Sequence, residues 1–237
     1  LSAALSPDSE YLATGIGQEI VLWQLADNKQ LFSLQGHQGW VVALAFSPEG
    51  EVLACGSRDG TVRLWNAKAG QCFNTLRGHA YWVQTVAFAP MKFTDMVCVA
   101  SGSYDHTIRL WDAQSGQLLY ELVGHTDRVT AVEFGADGVT LVSSSEDDSV
   151  RVWDIRTGTC VRCLDIKTNW VQAMTLSPDG VTLAVGCDRN SVQFWDIQTG
   201  DRLGELAHYS NEVWSVDFSP DGQLLATGSE DNTIKLW

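Results

Sequence analysis

Residues 41–65 read VVALAFSPEGEVLACGSRDGTVRLW. VVALAF, EVLACG and TVRLW are short runs of apolar and β-branched residues, and the SPEG and SRDG between them are turn chemistry. Runs of five or six such residues, punctuated this closely by Pro, Gly and Asp, predict antiparallel strands. The pattern continues with NAKAG at 66–70, a turn, and QCFNTL at 71–76, a fourth strand.

The same phrase recurs along the 237 residues, and such a period organises a chain before any single residue does. Its anchor is the tryptophan that closes the third strand. IVLWQ, VRLWN, IRLWD, VRVWD, VQFWD and IKLW place it at Trp23, Trp65, Trp111, Trp153, Trp195 and Trp237, at spacings of 42, 46, 42, 42 and 42. The excess of four lies in MKFTDM, residues 91–96, which lengthens a turn that is Glu49 and Gly50 in the preceding repeat. All five prolines, Pro7, Pro48, Pro90, Pro178 and Pro220, fall at one turn position, where a fixed φ suits the turn and no strand loses a donor.

One four-stranded sheet cannot bury both of its faces alone, so each repeat must stack on its neighbours. That requirement, with the period, predicts an all-β chain built as a β-propeller. The motifs GH, S-P-[DE]-G, G-S-x-D and [LVF]-W-[DN] resemble those of the WD40-repeat family over the whole chain. Six repeats with four-stranded antiparallel blades are expected, at about 1–34, 40–76, 82–122, 128–164, 170–206 and 212–237, as a single propeller region. The last blade ends at its third strand. The resemblance implies that a strand from the N-terminal side completes the last blade, so these residues are expected to belong to a longer protein, with seven or more blades and further domains attached; the alternative is a complete six-bladed ring lacking one strand. The array is similar to those of bacterial multidomain signalling proteins.

Composition narrows the partners. A net charge of −14 opposes phosphate backbones, so no nucleic acid is expected. No apolar run reaches the roughly 18 residues of a membrane span, and six scattered cysteines fit a reducing compartment; a cytoplasmic location is expected, with no membrane partner. CVRC, Cys160 to Cys163, has a zinc-like spacing, but no second cysteine pair or His pair accompanies it, and it is read as two strand thiols. No metal and no cofactor is expected, and no GxxxxGK[ST] phosphate loop is present.

By resemblance, the GH histidine joins a bonded chain inside each blade: His before strand one, Ser or Thr in strand two, Asp in the next turn, and the Trp of strand three. The third repeat supplies His79, Ser101, Asp105 and Trp111, and the fourth His125, Ser143, Asp147 and Trp153. Ser, His and Asp together also resemble a hydrolase triad, but a triad is needed once, and this set recurs at the repeat period. It is therefore read as structural. Other copies are incomplete. The second repeat keeps His37, Asp59 and Trp65 but has Cys55 at the hydroxyl position. The sixth keeps Thr227, Asp231 and Trp237 but has Tyr209 at the His position. The first has Thr14 and Trp23 without the Asp, and the fifth has Lys167, Val185 and Arg189 around Trp195.

The remaining variable residues are expected on one rim. The resemblance places there the residue before strand one, the residue two positions later, and the residue before the structural Asp. The four tryptophans that are not anchors, Trp40, Trp82, Trp170 and Trp214, all map to these positions, with Tyr104, Arg58, Arg128, Glu146, Asp188, Glu212 and Glu230. Tryptophan, tyrosine and arginine are the residues of binding hot spots. The expectation is a non-catalytic protein or peptide interaction module, a scaffold or sensor arm of a signalling protein, with the later acidic blades attracting a basic segment. An enzyme with a central-channel site and a multivalent assembly scaffold are the competing readings.

Overall fold

The computed structural model describes residues 2–90, 96–167, 171–187, 190–207 and 210–237, and of Gln172 the backbone alone. Among the described residues, strands and turns make up all the regular structure, and no helix is long and apolar enough to cross a membrane. The strands form six sheets. Five have four antiparallel strands in sequence order, and the sixth has three. The opening stretch folds as read: its sheet comprises Val41–Phe46, Val52–Ser57, Thr61–Asn66 and Gln71–Arg77.

By internal packing the chain divides into two compact units, Leu1–Gly124 and His125–Trp237, with three sheets in each. In each unit, neighbouring sheets bury a common apolar layer. Ile20, Leu22 and Leu34 of the first blade pack with Val41, Leu53 and Trp65 of the second. Val62, Leu64 and Leu76 of the second pack with Val83, Val99 and Trp111 of the third. In the second unit, Val142, Val150 and Leu164 meet Val171, Leu176 and Leu183, and Ala184 and Val192 meet Val213 and Leu225. The second blade in the first unit and the fifth in the second thus have both faces covered by the sheets on either side.

Two local features set the ends of the blades. In the turn between strands two and three, one position is left-handed in every blade from the second: Gly60, His106, Asp148, Asn190 and Asn232, with φ between 61° and 79°. Glycine, asparagine and aspartate tolerate this conformation, which accounts for the composition of the position and makes His106 a turn residue. In the first strand of those blades one residue is skipped in the pairing with strand two: Val42, Gln84, Thr130, Gln172 and Trp214. A bulge of this kind twists the strand and re-aims a side chain.

A buried histidine network and a candidate interaction rim

The network is complete in the third and fourth blades. His79 Nδ1 lies 2.9 Å from Asp105 Oδ2, its Nε2 2.8 Å from Ser101 Oγ, and Trp111 Nε1 donates to the same Ser101 oxygen at 2.8 Å. In the fourth blade the corresponding distances are 3.0, 2.7 and 2.8 Å, through His125, Asp147, Ser143 and Trp153. The carboxylate fixes the tautomer: Nδ1–H donates to Asp, so Nε2 accepts from the serine. Thr107 and Ser149 each add a hydroxyl donor to the carboxylate at 2.6 Å. Burial pushes these carboxyls up, as it does Asp59, but the hydrogen bonds from histidine, the hydroxyl and a backbone N–H outweigh it, and all three are held well below the usual carboxylate range.

A hydrolase serine must reach a substrate. Ser101 and Ser143 are fully buried, and each oxygen is already engaged by both histidine and tryptophan. The arrangement fastens the loop before strand one to strands two and three.

The incomplete copies differ in what replaces the missing group. In the second blade His37 Nδ1 still meets Asp59 at 2.9 Å, but at the serine position Cys55 gives Trp65 only a weak thiol neighbour, and His37 Nε2 and Trp65 Nε1 are both buried without a hydrogen-bond partner of ordinary geometry. In the first and sixth blades Trp23 and Trp237 donate to Thr14 and Thr227, each at 3.1 Å. Asp231 of the sixth blade accepts from the backbone N–H of Ser210 at 3.3 Å. In the fifth blade Val185 is wholly buried, and Trp195 Nε1 donates instead to Gln193 Oε1 at 3.2 Å. Sequence reading missed Gln193, because the corresponding position is also polar in other repeats, as Arg63, Arg109, Arg151 and Lys235. His208, Tyr209, Asp188, Arg189 and Trp170 lie outside the described residues.

At the same end of the second, third, fourth and sixth blades, the residue before strand one and the residue before the structural Asp or its equivalent are coupled by a backbone hydrogen bond. The N–H of Arg58, Tyr104, Glu146 and Glu230 donates at 2.9 Å to the carbonyl of Trp40, Trp82, Arg128 and Glu212 respectively. The fold thus brings the predicted rim residues together two by two. Arg128 and Glu146 form an ion pair at 3.4 Å, so part of the expected acidic sector is neutralised by its own neighbour. Glu212 and Glu230 are two acids side by side on the backbone. Trp214, a bulge residue, is 57% exposed.

In the first unit the pairs join. Trp82 and Tyr104 stack, with ring centroids 5.2 Å apart and planes 28° off parallel. The Arg58 guanidinium carbon sits 4.3 Å from the Trp82 ring centroid and 5.0 Å from that of Trp40. The result is a ladder, Trp40, Arg58, Trp82, Tyr104, spanning two blades. Gly39 permits it: a Cβ there would lie 2.5 Å from Asp59 N and 2.8 Å from Arg58 C, so only glycine lets the Trp40 loop close against the Arg58 turn. Each cation–π contact of this exposed kind contributes about 0.5–1 kcal/mol. Trp40 remains 58% exposed and Trp82 37%.

The second unit holds a group that the sequence reading did not single out. Glu133, on the first strand of the fourth blade, accepts the Leu176 N–H of the fifth at 3.1 Å and faces Thr175 Oγ1 at 3.5 Å. Burial pushes its carboxyl up to about 7 against the opposing hydrogen bonds, and the nearby Asp217 carboxylate raises it further. Cys160 and Cys163 are exposed free thiols on the fourth strand of the fourth blade. Among the described residues, no cluster of three or more His, Cys, Asp or Glu is placed to hold a metal ion.

Repeated antiparallel blades, two of them pinned by the complete His–Asp–hydroxyl–Trp network and the others by parts of it or a substitute, define a β-propeller repeat protein. The chain belongs to the WD40 family: the WD domain, G-beta repeat matches residues 28–66, 70–112, 116–154, 158–196 and 200–237. Among curated proteins it is similar to the human "Serine-threonine kinase receptor-associated protein", 40% identical over 74 residues, which is 30% of this chain and 21% of that protein. It is also similar to the mouse "Periodic tryptophan protein 2 homolog", 35% identical over 75 residues, 30% of this chain and 8% of that protein. A third relative is "Eukaryotic translation initiation factor 3 subunit I" of Aspergillus niger, 43% identical over 53 residues, 22% of this chain and 16% of that protein. The matched segments thus span about a fifth or less of these relatives, all of them eukaryotic.

Proposed function

We propose that this chain is a non-catalytic protein-interaction module that docks a protein or peptide on the rim carrying Trp40, Arg58, Trp82 and Tyr104. The single observation that supports this most is the ladder itself. Large aromatic surface is held in place by a guanidinium that lies over both tryptophan rings, yet Trp40 and Trp82 remain open to solvent. Rigid aromatics with an arginine between them are the composition of binding hot spots, and side chains already fixed lose little entropy on docking. The relatives are named as a receptor-associated protein and a subunit of an initiation factor, which are roles of assembly. In this reading the module is a scaffold or sensor arm within a larger cytoplasmic signalling protein. Trp170, Trp214 and the acidic residues Asp188, Glu212 and Glu230 extend the contact, the acids favouring a basic segment of the partner.

The test is combined alanine substitution of Trp40, Trp82, Trp170 and Trp214, with capture of proteins from extracts of the native cell. Partners lost at unchanged Tm support the rim. Partners retained by a folded variant contradict it.

A further inference from the structure

We infer that the Arg58 guanidinium of this ladder is a receptor for a single carboxylate, so that the partner's anchor is an Asp or Glu side chain beside an apolar one. This rests on the rim reading above and names the chemistry of its first contact.

The geometry supports the inference in three ways. First, the slot between Trp40 and Trp82, which would otherwise suit a partner's cation, is already filled by this chain's own guanidinium, 5.0 and 4.3 Å from the two rings. Second, a guanidinium that meets aromatic rings keeps its five N–H donors for a partner, and its planar fork matches a carboxylate. Among the described residues no carboxylate lies within ion-pair distance of Arg58, as is also true of Arg63, Arg77, Arg151 and Arg162, but of these Arg58 alone lies over the two exposed rim tryptophans. The adjacent Asp59 carboxylate is turned inward, occupied by His37, Thr61 and the Gln38 N–H. Third, Arg58 is the one cation in the ladder, on a chain of net charge −14. One cation can neutralise a monoanionic carboxylate, whereas a phosphate near −2 would remain uncompensated in that field. The exposed ring of Trp40 gives the neighbouring apolar side chain its surface.

Selection of peptides from a displayed random heptapeptide library on the full chain tests this directly, followed by affinities of the synthetic peptides. Selected peptides are expected to carry Asp or Glu at a fixed position next to an apolar residue. Exchanging that acid for its amide, or Arg58→Gln, should weaken binding about tenfold or more. The two changes together should cost little more than either alone. Arg58→Lys, which keeps the charge but not the stacked fork, should also weaken binding, and Tm shows that each variant is folded. Selection of peptides without a fixed Asp or Glu, or with Lys or Arg at that fixed position, a preference for phosphoserine over glutamate, or an Arg58→Gln variant that lowers Tm while leaving affinity unchanged, would each overturn the carboxylate assignment. Those results leave the rim standing if Trp40→Ala still abolishes binding. Peptides that bind regardless of Trp40 and Trp82 would remove the rim reading itself.

Discussion

Cys55 stands where two other blades place a serine, and it leaves two buried polar atoms, His37 Nε2 and Trp65 Nε1, without partners of ordinary geometry. A buried polar group that loses its partner costs about 1–3 kcal/mol, while a completed hydrogen bond contributes about 1. Cys55→Ser should therefore stabilise the chain by about 1 kcal/mol, seen as a higher urea midpoint at unchanged slope. A lower midpoint would mean that the thiol's packing matters more than the two bonds. For the same reason His37→Ala should cost less than His79→Ala or His125→Ala, because the wild-type His37 already lacks the bond that the other two lose. Comparing the three unfolding midpoints checks the ordering. This much was legible in the sequence through its resemblance to the WD40 repeats, which assigns the serine, histidine and aspartate positions that recur at the repeat period. The substitute Gln193 was not, because it reaches Trp195 from the same strand and no other blade uses that position.

At the scale of a blade, the turns and strands followed from composition: the proline turns, the left-handed turn position and the tryptophan-closed third strand all lie where the period places them. What the sequence did not reveal is that rim positions 18 or 22 residues apart are backbone partners, nor that Arg58 bridges two blades. Cross-loop contacts depend on how closely two loops approach, and here that depends on Gly39 having no Cβ. Gly39→Ala should push the Trp40 loop away from the Arg58 turn. The expected outcome is a loss of about 1–3 kcal/mol with a red-shifted Trp emission as the ladder opens. Unchanged emission and stability would show that the loop approach is not tight. Gln193→Leu, which keeps the volume but strands the Trp195 N–H, should cost about 1 kcal/mol or more in thermal or urea unfolding.

For the whole molecule, two sets of carboxyls act on stability in opposite directions. Asp59, Asp105 and Asp147 are held below the ordinary value of 3.8, so their contribution is complete at neutral pH and is lost as pH falls through and below that value. Glu133 is raised from 4.5 to about 7, so its contribution is complete below 4.5 and lost as pH rises through 7. The groups that face it are Asp217, which shares its sign, and the Leu176 N–H and Thr175 hydroxyl, which offset burial. Stability should therefore be greatest in mild acid and decline toward pH 8. Glu133→Gln, which can still accept the Leu176 N–H, should flatten the decline between pH 5 and pH 8 by up to roughly 3 kcal/mol. An identical slope in wild type and variant, followed by Tm, would place the pH dependence elsewhere.

The central claim is a division of labour: the buried histidine network holds the blades, and the exposed ladder binds. A paired measurement on His79→Ala and Trp40→Ala tests it most directly, taking Tm and the affinity for a library-selected peptide on each. The expected result is a Tm lowered by several degrees with affinity within about twofold of wild type for His79→Ala, consistent with the loss of a buried hydrogen-bonding member. Trp40→Ala, which removes one exposed cation–π contact, should lower Tm by only about 1–3 °C and lose about tenfold or more in affinity. The reverse pattern, affinity lost with the histidine and stability lost with the tryptophan, would contradict the account.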